Sequence, residues 1–105
     1  MKVAAGEVQL SEAELAEVCR VFRRFVPDAK VWAFGSRVRG GSRPYSDLDL
    51  AIEGGQPLSL ETMADLTAAF DEADLPFKVD LVDWATLAPS FRRIIEEQRV
   101  LLQGE

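Results

Sequence analysis

The sequence contains no histidine and a single cysteine, Cys19. Without histidine, this chain alone cannot form a Ser-His-Asp triad, a Cys-His dyad or a zinc site with imidazole ligands. A lone cysteine excludes an internal disulfide and is typical of proteins in a reducing cytosol. Catalysis by this chain would therefore depend on carboxylates, hydroxyls and the cationic side chains of Arg and Lys.

Long hydrophobic runs are also absent. No segment approaches the roughly 18 apolar residues needed to span a membrane, and residues 1–7 lack the apolar stretch of a signal peptide. We therefore expect a cytoplasmic protein with no membrane association. The 105 residues are 48% apolar and 29% charged, which fits one globular domain over residues 1–105. The net charge of −6 argues against direct nucleic-acid binding.

Hydrophobic periodicity predicts alternating helices and strands, and hence one α/β or α+β domain. Ser11 and Glu14 form a capping box at the start of a first helix, which Pro27 ends. The other predicted elements are helices over about 59–73 and from Pro89 through Ile95, strands at 31–34, 47–52 and 77–82, and either a short strand or a packed tail at 100–102.

Acidic residues occupy one face of two predicted strands. Asp47 and Asp49 are two residues apart, so their side chains point the same way, with Cα atoms about 6.5–7 Å apart. Asp80 would join them if its strand pairs with theirs. Hard divalent cations such as Mg²⁺ prefer carboxylate oxygens together with substrate phosphates. An alternating strand can also simply expose a polar face to water, so the carboxylates alone leave both interpretations open.

The loop that precedes these carboxylates has the composition of a phosphate-binding segment. Gly35 and Ser36 directly follow a predicted strand, where glycine allows close backbone approach and the hydroxyl and N–H groups can bind phosphate oxygens. Arg37, Arg39 and Arg43 add positive charge to the loop of an otherwise acidic protein. The segment is not a P-loop, because no Gly-Lys-Ser/Thr follows.

Gly35-Ser36, ten intervening residues, the Asp47/Asp49 pair and the later Asp80 together resemble the signature of the DNA polymerase β-type nucleotidyltransferase superfamily. The resemblance covers nearly the whole chain and is closest to the minimal nucleotidyltransferase (MNT) branch. Three runs are similar to that branch in particular: Phe34-Gly35-Ser36-Arg37, Ser46-Asp47-Leu48-Asp49-Leu50 and Val79-Asp80-Leu81-Val82. The resemblance implies a two-layer α+β, polymerase β palm-like fold: a small mixed β-sheet with helices packed on one face.

The resemblance also implies a role for each motif residue. Gly35 and Ser36 would contact the nucleotide triphosphate, with Arg37 as a further candidate. The three aspartates would be catalytic residues that bind Mg²⁺ or Mn²⁺, and Asp80 would also help activate the attacking hydroxyl. MNT proteins are commonly paired with HEPN-domain toxins. The implied function is therefore an antitoxin that transfers AMP from ATP to a tyrosine hydroxyl of its HEPN partner.

Two other functions stay open at this point. The chain could be an antitoxin that neutralises its partner by binding alone, without catalysis. It could also transfer a nucleotide to a small molecule such as an antibiotic, although relatives of that kind usually have a further domain. The sequence specifies neither the nucleotide base nor the choice between the two metals, and it leaves homo-oligomerisation open.

Overall fold

A computed structural model describes residues 8–40, 43 and 45–104. A 3₁₀ turn over Trp84–Thr86 lies between the strand Val79–Asp83 and the helix Pro89–Glu96. None of the helices in these residues combines the length and the apolarity required to cross a membrane. In chain order the elements are α1 (Glu12–Phe25), β1 (Lys30–Phe34), α2 (Ser36–Arg39), β2 (Leu48–Glu53), α3 (Leu60–Glu72), β3 (Val79–Asp83), α4 (Pro89–Glu96) and β4 (Val100–Gln103).

Helix α1 begins at the predicted cap. The Ser11 hydroxyl accepts the N–H of Glu14, and the Glu14 carboxylate accepts the N–H of Ser11. The helix ends at Phe25, two residues before Pro27, because proline cannot continue the helical hydrogen bonds. Its buried residues are Val18, Val21 and Phe22.

The strands form one mixed sheet in the order β3–β2–β1–β4. Strands β2 and β3 are parallel, and β1 is antiparallel to both β2 and β4. The run at 100–102 is therefore an edge strand and not a packed tail. Helix α3 provides the crossover that two parallel strands require. In this order β2 is an interior strand, flanked by β1 and β3.

The two strands that carry the aspartates begin slightly later than the sequence predicts. Their ladder starts with the pair Leu48 and Val79. Strand β2 thus begins one residue after the predicted start, and β3 begins two residues after it. As a consequence, Asp47 precedes β2, and strand alternation does not set the direction of its side chain.

The main hydrophobic core lies between one face of the sheet and helices α1 and α3. Leu48, Leu50 and Ile52 of β2 are fully buried there, as a period of two predicts. Phe22 of α1 and Phe70 of α3 meet in this core with ring centroids 5.2 Å apart. These two helices form the predicted helical layer.

The prediction of helices on one face needs correction for α4. Ile95 of α4 is fully buried in a second cluster with Ala51 and Trp84. By strand alternation, Ala51 belongs to the face of β2 that also carries Asp49, opposite the main core. Helix α4 covers this face because the small Ala51 leaves room for Ile95 beside apolar Trp84. The predicted polar face is therefore divided between an apolar part under α4 and an acidic part at the start of β2.

Candidate active site

Gly35 lies between β1 and α2, where the chain passes Asp49. Its φ of 83° and ψ of −159° fall in a region that is essentially restricted to glycine. A Cβ atom at this position would lie 2.3 Å from Oδ2 of Asp49. Glycine is therefore required twice here, by the backbone conformation and by the close approach of a carboxylate.

Asp49 and Asp80 lie side by side on neighbouring strands. The parallel register pairs Asp49 with Asp80, and the antiparallel register pairs Asp49 with Phe34, the residue before Gly35. Paired residues project to the same face of a sheet, so both carboxylates share the face beside the Gly35 turn. Asp47 is exposed and lies one residue before β2. The structure thus brings these predicted site residues together, and their roles in binding and catalysis stay predictions.

The electrostatics of Asp49 reflect this crowding of acidic groups. Burial raises the pKa of Asp49, and the negative charges of Asp80 and Asp47 raise that pKa further, whereas the positive charge of Arg39 lowers it. Repulsion of this kind is relieved by a bound cation or a bound proton. The clustered carboxylates therefore favour the binding of a positive charge.

The donor groups fit a hard divalent metal ion. Mg²⁺ is usually held by one or two carboxylates together with substrate phosphates and water, and Mn²⁺ also accepts oxygen ligands. Within the described residues, no three Asp, Glu, His or Cys side chains converge on one metal-sized point. Asp80 Oδ1 instead lies 3.6 Å from Nζ of Lys78. This geometry suits an ion whose ligand shell is completed by nucleotide oxygens, and not a preformed protein cage.

Arg37, the further candidate for nucleotide binding, is a buried side chain. It is 4% exposed, and its guanidinium carbon lies 4.1 Å from the centroid of the Phe77 ring. Its N–H groups donate to main-chain carbonyls, among them those of Gln9 and Ser46. The side chain thus ties the segment before α1 to the loop that leads into β2. This position does not support the predicted contact between Arg37 and the nucleotide.

The one-turn helix α2 explains why Arg37 and Arg39 differ. Residues two apart on an α-helix are separated by about 200°, so their side chains leave on opposite sides. Arg37 is buried, whereas Arg39 is exposed and its charge acts on Asp49. From the sequence alone, treating residues 36–39 as a helical turn would have placed the two arginines on opposite sides.

Gln98 contacts the site, and no motif in the sequence indicated it. It lies in the turn after α4, and its Oε1 accepts the backbone N–H of Gly35 at 2.8 Å. Its Nε2 faces the carbonyl of Ile94 at 3.5 Å. Gln98 is 63 residues from Gly35 in the chain, and only the pairing of β4 with β1 brings the two together.

Comparison with known proteins gives concordant results for sequence and fold. Residues 18–105 match the protein family described as polymerase beta, nucleotidyltransferase. A probable protein adenylyltransferase, MntA of Haemophilus influenzae, is 47% identical over 98 residues, which covers 93% of this chain and 86% of that protein.

Solved structures with this fold include chains from toxin–antitoxin complexes. A chain of a variant MntA–HpeT complex has a TM-score of 0.73 at 24% identity and covers 92% of this chain and 75% of its own length. A toxin–antitoxin complex with AMP-PNP gives 0.69 at 23% identity, with coverages of 87% and 73%. The complex of a tri-AMPylated Shewanella oneidensis HEPN toxin with an MNT antitoxin gives 0.61 at 24% identity, with coverages of 87% and 70%. At these identities the likeness establishes the fold.

Proposed function

The chain belongs to the polymerase beta nucleotidyltransferase family and is a homologue of a probable protein adenylyltransferase, and from this premise we propose that it transfers AMP from ATP to a tyrosine hydroxyl of a HEPN-type toxin. By this modification it acts as the toxin's antitoxin, in the cytoplasm. The proposal rests above all on the contact between Gly35 and Asp49, with Asp80 paired beside it. A protein that only binds its partner has no need of a glycine turn against a carboxylate pair.

The proposed reaction is a displacement at the α-phosphorus of ATP. The acceptor oxygen forms a bond to this phosphorus, the bond from the phosphorus to the bridging oxygen breaks, and pyrophosphate leaves. The hydroxyl proton passes to a base, for which the Asp80 carboxylate is the candidate. The partner then carries AMP in a phosphodiester linkage. The added charge and bulk would obstruct RNA binding by a ribonuclease-like toxin.

In this proposal each site residue has a separate task. Ser36 binds phosphate oxygens through its hydroxyl and N–H, and Gly35 lets the main chain pass close to Asp49. Asp47, Asp49 and Asp80 would hold Mg²⁺ or Mn²⁺, which when bound neutralises phosphate charge and orients the triphosphate. Arg39 supplies further positive charge near Asp49. Arg37 acts indirectly, by fixing the loop that leads to Asp47.

The choice of donor and acceptor has support from the relatives. The Haemophilus influenzae relative is a probable protein adenylyltransferase. One structure of the same fold was solved with AMP-PNP, and another holds an AMPylated HEPN toxin in complex with an MNT antitoxin. The net charge of −6 suits a basic protein partner, whereas it would repel a bare polyanion.

The decisive measurement is the intact mass of the partner. The tagged chain is expressed in its native cell, and the captured partner is analysed by mass spectrometry. With the wild-type chain, the partner is expected to gain one or more AMP units on tyrosine. Asp49→Asn should abolish this gain, since it removes the carboxylate that contacts the Gly35 turn. Asp71→Asn, an exposed carboxylate of α3, is the matched control and should leave the modification intact.

Two results would contradict the proposal. A partner whose mass is unchanged, although it is captured equally by wild type and Asp49→Asn, would show neutralisation by binding alone. Transfer that persists in Asp49→Asn would show that the chemistry takes place elsewhere. Incubating the purified chain with labelled ATP and candidate antibiotics, without any partner, tests the small-molecule alternative, and we expect no labelled product.

A further inference from the structure

The turn at Gly35 is held from the side by a residue far away in the chain. The Gly35 N–H donates to Oε1 of Gln98 at 2.8 Å in a partly buried contact. The other end of the same amide points to the carbonyl of Ile94, with Nε2 at 3.5 Å. Because an amide has a donor end and an acceptor end, the two contacts together fix the orientation of the Gln98 side chain.

Gln98 reaches Gly35 because of the β1–β4 register. Ala33 pairs with Val100, so continuing this antiparallel ladder by two residues places Gly35 opposite Gln98. The two strands do not extend that far, because β1 ends at Phe34 and β4 begins only at Val100. The Gln98 side chain therefore supplies the acceptor for Gly35 where the main-chain ladder has stopped.

The main chain of Gln98 is itself firmly placed. The N–H groups of Gln98 and Arg99 both donate to the carbonyl of Ile95, at 3.0 and 2.8 Å. Ile95 is fully buried in the cluster under α4. The main chain that carries the Gln98 side chain is thus anchored to the second core.

We propose that Gln98 is a positioning residue that holds the Gly35-Ser36 turn in the conformation required to bind the triphosphate. This inference rests on the proposed nucleotidyltransferase function. The Gly35 N–H is already donated to Gln98, so it is not free for a phosphate oxygen while that bond persists. The N–H and hydroxyl of Ser36 then make the phosphate contacts, and Gln98 sets their direction by fixing the residue before them.

The first test examines the bond itself. In the wild-type protein, hydrogen exchange followed by NMR should show the Gly35 amide protected relative to the amides of exposed loop residues such as Gln56. Replacement of Gln98 by methionine keeps the length of the side chain but removes the amide. In Gln98→Met the Gly35 amide should lose its protection and its resonance should shift. Fast exchange of the Gly35 amide in the wild-type protein would overturn the proposal without any variant.

The second test examines binding and turnover. Gln98→Met should weaken Mg·ATP binding and raise KM for ATP by about two- to tenfold, the range expected for one neutral hydrogen bond. The KM for the acceptor protein should stay at the wild-type value. A purely structural role would instead lower apparent kcat through loss of folded enzyme and leave KM for ATP unchanged. Gln56→Met, in an exposed loop at the far end of β2, is the matched control.

The outcomes separate this inference from the proposed function. Wild-type protein that binds no Mg·ATP would refute both. Wild-type protein that binds Mg·ATP, together with equal or tighter binding by Gln98→Met, would overturn only the positioning role and leave the nucleotidyltransferase proposal in place.

Discussion

Gly35→Ala is the substitution whose consequences the structure defines most closely. Alanine must adopt the φ of 83° and ψ of −159° found at this position, at a cost of about 1–3 kcal/mol. Its Cβ would lie 2.3 Å from Oδ2 and 3.2 Å from Cγ of Asp49, so the Asp49 side chain must leave its rotamer, at about 0.5–1.5 kcal/mol. We expect a total loss of about 1.5–4.5 kcal/mol in the free energy of unfolding.

Gly40→Ala separates these two contributions. Gly40 has a similar backbone, with φ 99° and ψ 167°, but a Cβ there meets no described atom within 4 Å. Urea unfolding should therefore show only the backbone cost in Gly40→Ala and a larger loss in Gly35→Ala. Transfer of labelled AMP should fall by at least about a hundredfold in Gly35→Ala, because a displacement near 1 Å at a reacting centre has an effect of this size.

Two outcomes with these glycine variants would contradict the expected behaviour. Equal destabilisation by the two alanines would show that Asp49 does not approach Gly35 as closely as the structure indicates. A stable Gly35→Ala protein with full transferase activity would refute the view that this turn and Asp49 form one site. Activity must be measured at a temperature where both variants are folded, so that unfolding does not imitate a catalytic defect.

Two further predictions concern Arg37 and Asp49. Arg37→Met should lower the free energy of unfolding by about 3 kcal/mol or more, since it removes the charged donor of the hydrogen bonds to the partly buried carbonyls of Ser46 and Gln9, each worth about 1.5–3 kcal/mol. Exposed Arg39→Met should change it by less than about 0.5 kcal/mol in urea titrations; equal effects would contradict the structural role of Arg37. The pKa of Asp49 is raised in the native protein, so the native carboxyl binds its proton more tightly than the unfolded one does. Ionisation of Asp49 therefore destabilises the metal-free protein as the pH rises through the native pKa. Asp49→Asn should therefore have a higher melting temperature than wild type at neutral pH in the presence of a chelator. This difference should vanish below the ordinary Asp pKa of 3.8. A lower melting temperature of the variant at neutral pH would refute the expected destabilisation by ionised Asp49.

The sequence predicts the strands and their faces well, because a period of two is a local property. Leu48, Leu50 and Ile52 have the alternation that buries them together, and the same alternation places Asp49 on the other face. The sequence predicts that Asp80 lies beside Asp49 only if their two strands pair, since no local pattern shows which strands are neighbours. The parallel register of β2 and β3 now supplies that pairing.

The position of α4 could not be predicted in the same way. Helical spacing shows that Ile95 belongs to an apolar stripe, but it does not show which face of the sheet the stripe covers. A weak signal was present in β2, where small, apolar Ala51 interrupts the acidic face between Asp49 and Glu53. A sheet face that is polar at one end and apolar at Ala51 can be half covered by a helix.

Gln98 and Arg37 show a second limit of sequence reasoning. Both act through hydrogen bonds to main-chain atoms, Gln98 at Gly35 and Arg37 at Ser46. Every residue type offers the same main-chain carbonyl, and almost every one the same N–H. A contact to these groups therefore leaves no motif in the sequence. The arginine could have been placed by treating 36–39 as a helix, whereas the glutamine depends on the register of β4.

The divided sheet face connects stability to function in this chain. At the Ala51 end, α4 buries Ile95 and so increases the apolar area buried on folding. This area is limited in a protein of this size. At the other end, Asp49 and Asp80 occupy positions that apolar residues could have filled, and burial together with the charges of Asp80 and Asp47 raises the pKa of Asp49. The turn that follows α4 joins the two halves, because Gln98 is anchored on buried Ile95 and reaches Gly35. The cluster under α4 is thus both the second core of the fold and the support on which the candidate site is held.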